Sequence, residues 1–164
     1  MADPHARKEP NAGRPHMPGY GIEPSESGLL SWAWAEERLA ASQNYWLSTV
    51  TPAGMPHAMA VWGIWLDGRF WFSTGNDSKK ARNLADQPRC VVTTERVDEA
   101  VVMEGRAALV ARVPDDVPTA YREKYGMGYP EDSGVFTVRP LTVFGFIEAS
   151  AQFSSTATRW QFKG

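Results

Sequence analysis

Short apolar runs separated by turn residues fill the chain from about residue 31 onward, and none precede it. Ser31 is a residue type that caps helices, and the stretch from Trp32 to Ser42 behind it is rich in helix formers. At helical spacing Trp32, Ala35 and Leu39 share a face, while Glu36 and Glu37 come early, where the helix dipole favours anions. Strand patterns follow. Tyr45 to Val50 is a β-prone run closed by Pro52-Ala53-Gly54. A second run, His57 to Leu66, is broken by Gly63. Asp67-Gly68 then separates it from Phe70 to Ser73. That dipeptide between apolar runs signals a hairpin, because a type I′ turn needs positive φ at both central positions.

The pattern continues with a short helix over Lys79 to Ala85, ended before Pro88, and strands over Arg89 to Glu95 and Ala100 to Ala111. Pro114 to Lys124 reads as a helix with proline at its start. Val135 to Val138 and Thr142 to Ile147 read as two strands interrupted by Pro140, and Thr158 to Phe162 as a last short one. Hairpins at this spacing predict a mainly β fold, a barrel or sandwich, with a few short helices. Residues 1–27 carry five prolines with scattered glycine and charge. That composition buries little apolar surface, and it predicts a flexible N-terminal tail ahead of one domain over residues 28–164.

Composition narrows the function classes. The chain has 164 residues, 43% of them hydrophobic, with seven Trp and seven Phe, which is enough for one well-filled core. Its net charge of −2 supplies no basic field for nucleic acid or acidic membranes. No apolar run is long enough for a transmembrane helix, and the N-terminus lacks the pattern of a signal peptide. A single cysteine, Cys90, excludes an internal disulfide and fits the reducing cytoplasm. Cys90 sits in an apolar run without a neighbouring base and reads as a small buried residue. No metal-ligand spacing, nucleophile elbow, Walker loop or dinucleotide glycine motif occurs.

One segment carries chemistry: Ser73-Thr74-Gly75-Asn76-Asp77-Ser78-Lys79-Lys80-Ala81-Arg82-Asn83. A helix start offers unpaired N–H groups and partial positive charge. Hydroxyls at Ser73, Thr74 and Ser78, with three cations at Lys79, Lys80 and Arg82, suit a phosphate or carboxylate there. By itself the segment is equally a capped surface helix with solvated lysines.

The order of strand, Asp-Gly hairpin, strand, Ser-Lys-Lys, short helix, Pro88 and strand resembles the pyridoxamine 5′-phosphate oxidase-like flavin-binding split barrels. The resemblance runs from Ser31 to the C-terminus. It takes in Tyr45 to Val50, Pro56-His57, Val61-Trp62-Gly63, Gly105-Arg106-Ala107 and Thr158 to Phe162. It implies a six-stranded antiparallel split β-barrel that forms a homodimer with cofactor sites at the subunit interface. In that family the Ser-[Lys/Arg]-Lys segment holds the cofactor phosphate, a role that falls on Ser78, Lys79 and Lys80, with Arg82 and Asn83 in the same segment. The strand carrying His57, Met59, Val61 and Trp62 would lie along the ring, with Ser73 and Thr74 beside it. Arg159 and Trp160 lie in a region that reaches the partner's site in related barrels.

The departures from the vitamin B6 oxidases point elsewhere in the superfamily. Met59 and Ile64 stand where those oxidases carry an Arg and a Lys, Ala100 stands for a glutamine, and their C-terminal Arg-Leu-x-Pro is missing. The chain is more similar to the flavin/deazaflavin branch. That branch implies an oxidoreductase that uses coenzyme F420 or FMN to pass hydride to a small electron-poor substrate, with no protein acid or base required. A non-catalytic carrier of the same cofactor and a barrel that binds none are the alternatives. No residue is singled out as catalytic. Trp62 is the aromatic placed nearest the expected ring, and His57 is either a cofactor contact or a structural histidine.

Overall fold

The computed structural model describes residues 9–163; the first eight residues of the expected tail, with Pro4 and His5, lie outside them. In chain order the elements are β1 (Asn11–Gly13), α1 (Trp32–Ala41), β2 (Tyr45–Val50), β3 (Pro56–Val61), β4 (Gly63–Leu66) and β5 (Arg69–Gly75). There follow α2 (Lys79–Asp86), β6 (Arg89–Thr94), β7 (Glu99–Leu109), α3 (Asp116–Tyr125), β8 (Ser133–Ile147), α4 (Phe153–Thr156) and β9 (Thr158–Gln161). Among the described residues no helix is long and apolar enough to cross a membrane.

The sheet closes on itself. β2 pairs with β3 and β6, β6 with β7, β7 with β8, β8 with β5, and β5 with β4. β3 and β4 are one strand bent at Trp62, so the ring contains six strands, all antiparallel. This is the split barrel. The hairpin between β4 and β5 turns on Asp67 (φ 55°) and Gly68 (φ 70°), both left-handed as a type I′ turn demands.

The split falls at Pro140. The N-terminal half of β8 pairs with β5, and its C-terminal half turns to β9 instead. Pro140 has no N–H to donate to a ladder. It faces Gly105 at a bulge, where the register jumps from Glu104↔Thr142 to Gly105↔Pro140 and leaves Leu141 over. A Cβ on Gly105 would come within 2.6 Å of Val138 and 2.8 Å of the Arg139 carbonyl. The proline therefore bends a continuous 15-residue strand where its pattern predicts two.

Tyr45, Leu47, Phe70, Phe72, Val92, Val101, Met103, Val138, Val143 and Trp160 fill the barrel. α1 plugs one end with Ala35 and Leu39, capped by Ser31, whose Oγ accepts the Trp34 N–H. Glu36 and Glu37 fall beyond its first turn; Glu36 accepts the Trp65 indole N–H at 3.3 Å. A second, smaller core lies outside the barrel, where Val117 and Tyr121 of α3 cover Ile64 and Trp71.

Part of the segment expected as a tail is laid against this body. β1 pairs with β9, and Arg14 donates to the carbonyls of Ser25, Ser27, Ser155 and Ala157 at 2.6–3.0 Å. Structure therefore begins well before Ser31. Apolar composition carries no trace of this attachment, which is made of backbone hydrogen bonds and carbonyls gathered by one guanidinium.

Candidate functional site

The corner between β3 and β4 sets the site. At Trp62 the chain leaves its pairing with β2 and takes up pairing with β5. Gly63 has no room for a side chain: a Cβ would lie 2.2 Å from Phe70 and 2.7 Å from the Trp71 carbonyl. α3 satisfies the peptide groups of this glycine. The Gly63 N–H donates to the Tyr125 hydroxyl at 2.9 Å. The Gly63 carbonyl accepts from Lys124 Nζ at 2.9 Å and lies 2.8 Å from the Tyr125 hydroxyl. Tyr125 then stacks on Trp62, with ring centroids 4.7 Å apart and planes at 4°.

Beside that corner a cleft of about 300 Å³ opens between β3, β5 and the start of α2, lined by Asn44, Ala60, Val61, Trp62, Ser73, Thr74 and Lys80. α2 is aimed at it by its own cap. Ser78 Oγ accepts the Ala81 N–H at 3.1 Å and is bonded to Thr74 Oγ1 at 3.0 Å. The N–H groups of Lys79 and Lys80 have no acceptor within the helix. Among the described residues neither lysine has an ion-pair partner. The cleft thus carries one wall of hydroxyls, a half-buried ammonium and open peptide N–H groups, and one aromatic wall. That donor set suits an anionic, phosphate-bearing ligand with a planar ring.

The structure brings Val61, Trp62, Ser73, Thr74 and Lys80 together, with Ser78 behind them as the cap. Lys79 is exposed, and Arg82 folds back to donate to the Asp77 carbonyl at 2.7 Å. Asn83 points the other way, buried and bonded to Thr49. His57 and Met59 lie farther along β3, opposite Thr49 and Leu47; Met59 is exposed and His57 half-buried. Trp160 is buried completely in the barrel, packed on Trp32 and Gly145, so its side chain does not line the cleft.

Arg159 stands elsewhere, on the outer face. Ala60, Trp46, Thr93, Val102, Phe144 and Arg159 lie side by side in register across six strands, one row of mostly apolar side chains. Trp46 is 52% exposed, and among the described residues the buried Nε of Arg159 has no partner.

Lys124 and Tyr125 escape sequence reasoning, since no local pattern says that α3 folds over the Gly63 corner. Burial pulls Lys124 down to about 8, against the attraction of Glu95. Burial pushes Tyr125 up to about 12. Cys90 is buried and pushed up to about 12 by desolvation, an inert thiol. Among the described residues no three His, Cys, Asp or Glu side chains converge as a metal site.

The six-stranded antiparallel split barrel defines the class, and the known proteins agree with it. The model of the pyridoxamine 5′-phosphate oxidase family matches residues 33–149, and the chain belongs to that family. No curated protein matches. Solved structures share the fold. An F420 reductase is similar with a TM-score of 0.54 at 22% identity, covering 66% of this chain and 94% of its own. The haem storage protein HutZ of Vibrio cholerae gives 0.53 at 18%, with 66% and 85% covered. A haem-binding protein of Mycobacterium smegmatis gives 0.60 at 21%, with 74% and 57% covered.

Proposed function

We propose that this chain is an oxidoreductase that binds coenzyme F420 or FMN in the cleft between Trp62 and Lys80 and serves hydride transfer to a small electron-poor organic substrate. The observation that carries this reading is the meeting of the α2 start, Lys80, Ser73 and Thr74 with the indole of Trp62 in one cleft. Lys80 and the N–H groups of Lys79 and Lys80 would hold the phosphate. Ser73 and Thr74 would donate to polar atoms of the cofactor, and Ala60, Val61 and Trp62 would lie along its ring. The bound cofactor supplies the hydride chemistry. The residues around it orient the ring and exclude water.

Met59 and Ile64 support a branch other than vitamin B6 oxidation. Met59 carries no charge, and Ile64 is buried beneath α3. A cofactor carrier without turnover is the second reading, since the same lining would hold the cofactor whether or not a substrate is reduced. A homodimer fits both. One chain builds a cleft at the low end of ligand-site volumes. Beside it runs the outer row from Ala60 to Arg159, which a second copy would cover, meeting the unpaired Nε of Arg159. The single buried cysteine fits a cytoplasmic protein.

The test is parallel fluorescence titration of the purified protein with FMN, F420 and haem, with sedimentation to weigh the assembly. Tight binding of FMN or F420 followed by substrate reduction supports the enzyme. Tight binding without turnover supports the carrier. Binding of haem alone overturns both.

A further inference from the structure

Trp62 is not free to turn. Its backbone is fixed on the C-terminal side by Gly63, whose N–H and carbonyl are both held by α3. One face of its indole is covered by the parallel ring of Tyr125. Tyr125 in turn packs on Tyr121 at 4.8 Å, so three electron-rich rings run from the second core to the cleft. Lys124 pins the same corner from the barrel side: its Nζ donates to Gly63 and to the hydroxyl of Tyr45, which is itself bonded to the Leu39 carbonyl. Trp62 nevertheless remains 44% exposed and lines the cleft. With one face taken by Tyr125, the face left over is the one a ligand ring meets.

We propose that Tyr125 and Lys124 are positioning residues that hold Trp62 as a fixed, electron-rich shelf, and that this shelf lowers the midpoint potential of the ring stacked on it. The inference rests on the reading that FMN or F420 occupies the cleft. Its physical basis is the difference between the two redox forms of such a ring. The oxidised form is electron-poor and stacks favourably on an electron-rich indole. The form that has gained a hydride is electron-rich and gains less. Tighter binding of the oxidised form moves the two-electron couple to a lower potential and makes the reduced ring a stronger hydride donor. Trp62 gives up no electron in this scheme. It acts only through the relative affinity of the two forms.

The arrangement also separates tasks. The phosphate end would be held by α2, which packs on the barrel core through Ala81 and Leu84, whereas the shelf is held by α3, which belongs to the second core outside it. Changes in α3 therefore alter the ring's electronics with little effect on the anchor.

The experiment loads wild type, Trp62→Leu, Tyr125→Leu and Tyr125→Phe with FMN and, separately, F420. It measures the dissociation constant, the fluorescence of the bound cofactor and its midpoint potential by dye equilibration. Trp62→Leu removes the shelf, and Tyr125→Leu frees it. Each is expected to relieve quenching of the bound cofactor and to cut the preference for the oxidised form about tenfold. For a two-electron couple that raises the potential by about 30 mV. Tyr125→Phe keeps the ring stack and the Lys124 bond but gives up the hydroxyl's contacts to Gly63, and is expected to lie much nearer the wild-type potential than Tyr125→Leu. A cofactor that binds wild type but shows the same potential and quenching in Trp62→Leu overturns the shelf while leaving the cofactor reading intact. Failure of wild type to bind either cofactor overturns both. Should Tyr125→Leu not fold, the partly exposed Trp62→Leu decides the question.

Discussion

Asn83 donates its Nδ2–H to Thr49 Oγ1 at 2.9 Å, a buried bond that ties helix α2 to strand β2. Its side chain therefore holds from behind the helix whose start faces the cleft. Asn83→Ala leaves the Thr49 hydroxyl without its donor, and the expected loss is about 1–3 kcal/mol of stability. Urea unfolding measures it. The folded variant is expected to bind FMN or F420 within about threefold of wild type, since one lost neutral bond of this kind is remote from the ligand.

The two neighbouring lysines are expected to separate. Lys80 lines the cleft and Lys79 is exposed. Lys80→Ala would remove the proposed charge-assisted contact to the phosphate and is expected to weaken cofactor binding about tenfold or more. Lys79→Ala is expected to change it far less. Calorimetric titration of both variants checks this, and equal losses would count against the proposed anion site.

Lys124 predicts a pH effect on stability. In the folded chain it loses its proton near 8, well below the ordinary 10.5, because it is buried. Between these values the unfolded chain binds the extra proton, so stability rises with pH. Tyr45 and Tyr125, raised by burial, hold their protons beyond the ordinary value of 10, so their contribution falls only above it. Across pH 8 to 10 the melting temperature of wild type is expected to climb relative to that of Lys124→Met. Scanning calorimetry at four pH values reads the difference, and a constant gap would contradict the prediction.

Gly63→Ala tests the barrel corner. The added carbon meets Phe70 and a backbone carbonyl at distances no repacking relieves. A loss of about 3 kcal/mol is expected, at the upper end for an overpacked core. Thermal unfolding of the variant provides the measurement.

The parts of this architecture that were legible in the sequence are those written locally. Asp67-Gly68 adopts the two positive φ values its chemistry implies. Ser31 and Ser78 both accept the N–H three residues on, as their types suggest. The strand over Tyr45 to Val50 runs between the expected residues. What escaped was set by partners far along the chain. Asn11-Ala12-Gly13 has no strand propensity and is a strand only because Gln161, Trp160 and Arg159 lie opposite it. Pro140 reads as a break until Gly105 is seen across from it. Lys80 and Asn83 share one short helix, and which of them lines the cleft depends on which face meets β2. Trp160 and Arg159 divide likewise by strand alternation, one inward and one outward.

The pairing of β1 with β9 bears on how the molecule is assembled during synthesis. Arg14 is made before any barrel strand, yet the carbonyls of Ser155 and Ala157 that its guanidinium holds are made after all six. The ribosome releases these residues only after the six barrel strands have emerged. The ring can therefore close while the N-terminal segment still waits for its partner. Docking of β1 therefore waits on residues 155–161, and in a chain stalled before them this segment lacks the partners that hold it.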